Sequence, residues 1–371
     1  MASTFPQSRN GLTKVEASHG PDTLWYTRCP VPTASSIAID RGWLDEEFTG
    51  DQIRVSSLRE SGAREVRESH FSHTQENSFR QGGNIPPIWA KSIGHDVSLI
   101  GLSWVDKFQG LIALPNSGIE KPAALRGRRI GLPRRVNDQI DFWRATSLRG
   151  ILTTLELAEL GARDVEIVDL PVDETYLVAI GEDHSGSLWT ARTLRRLQAT
   201  ELFALIRGEV DAIFTNGPRG LELQTLLNAR VVSDLGRHPD ARIRTSNDTP
   251  VAITVSGKLA RENPEIVARY LARLIRAGDW ARTHADETRR IVAQDVGTAE
   301  EWVAEAYGPR LHQRLTPELS ELSIVALESQ KNFLRTHGFI QNDFKVADWI
   351  NPEPLARAFE LAGRARVAAN S

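Results

Sequence analysis

The chain has 371 residues, 40% hydrophobic and 25% charged, a balance that fits a globular protein with room for two domains. A net charge of −3 gives no global positive field for nucleic acid, and a single cysteine excludes an internal disulfide and a multi-cysteine metal site. No run approaches the ~18 apolar residues of a membrane span.

The N-terminal stretch MASTFPQSRNGLTKVEASHG is polar and lacks the apolar segment of ~7–15 residues of a secretory signal, so a cytoplasmic protein with a mobile terminus is expected. Thr23–Thr27 (TLWYT) is β-branched and aromatic and reads as a strand. Cys29 follows, and Pro30 and Pro32 fit the turn and first position of a helix running to about Arg41, stopped by Gly42. QIRVSSL, HDVSLIGLSW and GLIALP read as further strands. The basic run Arg126–Arg135 leads into another strand, and its charges read as a solvated face.

SLRGILTTLELAELGA predicts a helix ending near Gly161, and VEIVDL the strand after it. Gly181–Thr190 reads as a loop. LFALIRGEVDAIFT repeats helix, Gly208, strand; ARVVSDL and VAITVS add two more strands. The C-terminal part is helical. Asn263 and Pro264 open a helix with Val267, Tyr270, Leu271, Leu274 and Ile275 on one stripe. Thr298 and Glu301 suggest a capping box, and Thr316–Pro317 the start of a further helix stopped by Gly338. Strands alternating with helices predict an α/β fold with mainly parallel sheets.

Cys29 stands between a strand and a helix N-terminus, where backbone N–H groups favour a thiolate; a small buried packing residue is the competing reading. Arg80 has the planar fork that holds two oxygens of a small oxyanion. Gly82 and Gly83 allow close backbone approach, and Pro86 and Pro87 open a helix whose N–H groups would face the same anion. His70 is placed to bond a thiol or relay a proton. His70 and His73 are three apart, but no third metal ligand accompanies them. Trp25, Phe71, Phe79, Trp104 and Trp143 are candidate linings for an apolar pocket.

ALRGRRIGLP, RGEVDAIFT and NPEIVARYLARLIRA resemble segments of type-2 periplasmic binding proteins of the sulfonate, nitrate and thiamine-precursor group. That resemblance implies two α/β lobes with a ligand cleft between them. The first lobe would hold residues 20–114 and 243–371 and carry the catalytic residues; the second would hold 115–242. DTLWYTRCPVP and HFSHTQENSFRQGGNIPP resemble the 2'-hydroxybiphenyl-2-sulfinate desulfinase family of bacterial dibenzothiophene desulfurisation. It implies a catalytic trio at Cys29, His70 and Arg80, with Gln75 and the backbone at Gly82–Gly83 at the substrate.

The implied reaction is hydrolytic cleavage of an aryl sulfinate to a phenolic arene and sulfite, with no metal or organic cofactor. Cys29 would act either as nucleophile on sulfur or as proton donor to carbon. His73 stands where the family has a tyrosine, and Trp143 is out of register with the family's pocket tryptophan. The expected partner is a small aromatic sulfinate bound by a monomer, with no nucleic acid and no membrane. The alternatives are a solute-binding protein that feeds a sulfonate-like anion to a transporter and a pyrimidine-precursor enzyme of the same fold.

Overall fold

The computed structural model describes residues 20–174 and 198–363. The polar N-terminal residues 1–19 and the expected Gly181–Thr190 loop lie outside them. β1 (Thr23–Tyr26), β2 (Arg54–Ser57), β3 (Ser78–Gly82) and β4 (Val97–Ser103) come first. β5 (Gln109–Ala113), β6 (Arg129–Arg135), β7 (Glu166–Val172), β8 (Ala212–Asn216) and β9 (Arg230–Asp234) then build a second sheet, ordered β7-β6-β8-β5-β9. β10 (Val251–Ser256) returns to the first sheet, ordered β2-β1-β3-β10-β4. The result is a two-lobe α/β fold of the type-2 periplasmic-binding-protein kind.

The topology departs from expectation in two respects. The sheets are mixed: β10 is antiparallel to β3 and β4, and β5 is antiparallel to β8 and β9. Both strands enter their sheets from the passages between lobes. They therefore escape the rule that makes a helix-connected neighbour parallel. The first passage also lies earlier than Leu114, because β5 already belongs to the second sheet; the chain leaves the first sheet after Ser103. It returns between Asp234 and Val251.

α1 (Ala34–Asp40) is capped by Thr33, whose hydroxyl accepts from Ser36 N–H, and Gly42 takes the left-handed conformation at φ 71° before α2 (Trp43–Thr49). α3 (Arg64–Ser72) precedes β3, and α4 (Ile85–Ser92) follows it with Pro86 and Pro87 in its first turn. α5 (Phe142–Glu156) begins five residues before the apolar run that predicts it, because Asp141 accepts from Arg144 N–H as its cap. That early start puts Phe142 and Trp143 in the first turn.

The first lobe's core gathers around the helix Pro264–Thr283, whose stripe from Val267 to Ile275 is buried as its spacing requires. Phe79 stacks on Tyr270 in this core, ring centroids 3.8 Å apart. Burial of such a ring is worth about 1.5–3 kcal/mol. Asn263 sits at the helix's N-cap position but makes no side-chain cap bond. Nor do Thr298 and Glu301 form a capping box: that helix starts at Glu300 after Ala299. Thr316–Pro317 does not open the helix that Gly338 stops. Glu318 exchanges two 2.8 Å backbone bonds with Leu102, which holds the chain extended, and the helix Glu321–Thr336 starts after a Ser320 cap. In the basic run, Arg126 and Arg129 pair with Asp164 and Asp211. No helix among the described residues is long and apolar enough to cross a membrane.

Candidate active site

Cys29 lies in the loop between β1 and α1 and is buried. Thr27 N–H donates to Phe79 O at 3.0 Å, which ties this loop to β3. Arg28 pairs with the buried Asp295 at 2.5 Å, anchoring the other side to the end of the helix Ala285–Val296. Gly82 completes the seat. A Cβ there would stand 2.2 Å from Cys29 Sγ, so only glycine lets the sulfur pack on β3. Several of the helix N-terminal N–H groups expected to help are already engaged. In α1, Ser35 N–H donates to Gln81 Oε1 and Ser36 N–H to Thr33. In α4, Asn84 and Ile85 N–H go to Asn247, and Pro86 and Pro87 have none.

His70, on the last turn of α3, sets its Nε2 3.9 Å from Cys29 Sγ. Burial, with the Arg80 charge second, holds its imidazole well below the ordinary value, so it stays neutral. Arg80 projects from β3, 4% exposed, and donates through Nη1 to Gly83 O at 2.6 Å. Its Nε is buried with no partner, and among the described residues no carboxylate pairs with it. A buried cation left uncompensated in this way is a standing attraction for an anion. His73 caps α3 at φ 57° and bonds Phe71 O through Nδ1; burial pushes it down to about 3.

Cys29, His70, Arg80 and Gly83 share the wall of one cavity of about 140 Å³. Both lobes contribute. Phe71 stacks on Phe142 with centroids 6.0 Å apart, and Phe142 meets Trp143 at 5.6 Å. Trp143 therefore lines the cavity although its register does not match. Other expected residues stand outside that wall. Trp25 is held in β1, Phe79 is in the core, and Trp104 bonds Asp106 and lies under Arg244. Gln75 turns its amide to Glu76 O, and His73 faces the backbone of its own helix.

Sequence reasoning missed Lys107, Asn216, Asn247, Asp248 and Tyr307, all in the wall. They come from the passages between lobes, the end of β8 and the end of a distant helix, and no motif joins them. Among the described residues no group of three or more His, Cys, Asp or Glu side chains that could hold a metal ion occurs.

No family model matches the chain. It is 31% identical over 353 residues to the 2'-hydroxybiphenyl-2-sulfinate desulfinases of Rhodococcus erythropolis and Rhodococcus qingshengii, covering 90% of this chain and 93% of theirs. The chain belongs to the 2'-hydroxybiphenyl-2-sulfinate desulfinase family. Solved structures agree with the family assignment. The crystal structure of the desulfurization enzyme DSZB is 30% identical, covers 92% of this chain and 99% of that one, and superposes with a TM-score of 0.74. A cysteine-to-serine mutant of DSZB in complex with biphenyl-2-sulfinic acid is 28% identical, covers 91% and 99%, and gives 0.72. The aliphatic sulphonate binding protein SsuA of Escherichia coli, 16% identical over 90% of this chain and 93% of that one at a TM-score of 0.62, shares the desulfinase family's fold.

Proposed function

We propose that this protein hydrolyses the carbon–sulfur bond of an aryl sulfinate, 2'-hydroxybiphenyl-2-sulfinate or a close relative, with Cys29, His70 and Arg80 as its catalytic residues. The observation that carries the reading is the buried Arg80, with no carboxylate partner among the described residues, in one cavity wall with a thiol and a neutral histidine 3.9 Å apart. Membership of the desulfinase family supports it. The balanced reaction is Ar–SO2⁻ + H2O → Ar–H + HSO3⁻.

Arg80 holds the sulfinate oxygens. Cys29 Sγ–H gives its proton to the ring carbon that bears sulfur. The carbon–sulfur bond pair returns to the ring, and sulfur dioxide leaves. Water adds to it to give hydrogen sulfite, and the proton released in that step returns to the Cys29 thiolate, which the neighbouring His70 holds in place. A histidine kept neutral by burial and by Arg80 is a weak proton acceptor, which favours this route over thiolate attack on sulfur. Phe71, Phe142 and Trp143 supply the apolar wall for the arene.

The test is sulfite release from 2'-hydroxybiphenyl-2-sulfinate by purified wild type and Cys29→Ser. Serine fits the same seat but is a far weaker acid, and a loss of about 10²–10⁴-fold is expected. A serine variant as active as wild type overturns the assignment. A wild type that binds the sulfinate and releases no sulfite marks a binding protein instead. A covalent Cys29 adduct caught by mass spectrometry during turnover would overturn the proton-donor role in favour of attack.

A further inference from the structure

Three segments remote in sequence meet in the cavity wall. Phe108 N–H donates to Ala306 O at 2.7 Å, and Gly217 N–H donates to Phe108 O at 2.8 Å. These bonds fix the neighbours Lys107, Asn216 and Tyr307 in one rigid arrangement. Lys107 Nζ donates to Asn216 Oδ1 at 3.1 Å and is ion-paired with Asp248. Its charge is therefore compensated, unlike that of Arg80.

Tyr307 is buried, and its hydroxyl lies 3.8 Å from where a Cβ on Gly217 would stand. Gly217 has φ 62°, a conformation that favours glycine, and the space beside the hydroxyl stays open. Among the described residues the hydroxyl makes no hydrogen bond. Burial, with Asp248 second, pushes the phenol above its ordinary value, so it stays a neutral donor. A chain of contacts links Arg80 to this group: Arg80 donates to Gly83 O, Asn247 packs on Gly83 and donates to Asp248 at 2.8 Å, and Asp248 pairs with Lys107.

The cavity wall thus carries two unlike polar features among its lining groups. One is a cation with no carboxylate partner among the described residues, fit for an anion. The other offers a phenol on a charge-balanced scaffold, fit for a neutral group that both donates and accepts. We propose that Tyr307, supported by Lys107 and Asn216, recognises a hydroxyl on the ring remote from the sulfinate, and so selects hydroxylated biaryl sulfinates. This rests on the desulfinase reading of the same cavity. A site that bonds a substrate hydroxyl discriminates against the analogue lacking it, because its own polar group is then left unmet.

The experiment compares kcat/KM for 2'-hydroxybiphenyl-2-sulfinate and biphenyl-2-sulfinate, by sulfite release, in wild type and Tyr307→Phe. One hydrogen bond is worth about a factor of ten. The expected ratio is about ten in wild type and about one in the variant. A wild-type ratio near one, or a ratio that the variant leaves unchanged, overturns the assignment. Calorimetric binding of both sulfinates to Cys29→Ser, with and without Tyr307→Phe, gives the same comparison without turnover. A wild type that releases sulfite from neither compound fails the desulfinase reading itself, which separates the two failures.

Discussion

Gly82→Ala tests the geometry of the thiol most directly. The new Cβ would stand 2.2 Å from Cys29 Sγ and 2.8 Å from Cys29 Cβ. Ordinary contact begins at about 3.5–4 Å, so the sulfur must retreat by more than about 1 Å. β3 resists yielding instead, because Gly82 is paired with Ala252 of β10 and the strand's start is paired with β1. A displacement of that size at a reacting atom costs about 10²-fold in rate. The overpacking itself costs about 1–3 kcal/mol of stability. Sulfite release reads the first effect and urea denaturation the second. In a Cys29→Ala background the closer clash is gone, so the same glycine substitution should destabilise less, and the difference is a coupling energy between the two positions. Wild-type activity in Gly82→Ala, or an equal stability loss in both backgrounds, would refute the packing of the sulfur on this strand.

Two more outcomes follow from the charges. Arg80→Lys keeps the positive charge but loses the fork and the bond to Gly83 O. It should raise KM for the sulfinate by about tenfold or more, measured with substrate saturation curves; an unchanged KM would remove Arg80 from anion binding. His73 is neutral in the folded protein, down to about 3, and titrates near 6.5 when unfolded. Unfolding therefore takes up a proton as pH falls through 6.5, and stability is lost from there downward. At pH 5 that loss is about 2 kcal/mol from His73 alone. His73→Asn, which tolerates the left-handed backbone, should reduce the loss between pH 7 and pH 5 in urea denaturation; the same acid sensitivity in the variant would count against it.

Legibility followed locality. Gly208 and Gly338, at φ 71° and 75°, end helices where the sequence places their stops, since a turn of that hand needs little beyond its own residue. β3 escaped detection as a strand because SFRQG does not alternate. Four of its five residues are buried, polar Arg80 and Gln81 among them, an arrangement that pattern reasoning rejects and an active site requires. The trio at Cys29, His70 and Arg80 was readable only because its partners stand within about fifty residues in recognisable strings. Tyr307, Lys107 and Asp248 have no such strings; two passages between lobes bring them together. Among aromatics, sequence proximity misled: Trp25 is four residues from Cys29 and points elsewhere, while Trp143 arrives from the other lobe.

The thiol at the centre of this cavity is the chain's only one. Every thiol-directed reagent is therefore a probe of a single address. The moles of label taken up count competent sites in a preparation, and the slowing of uptake by a ligand reports occupancy without any turnover.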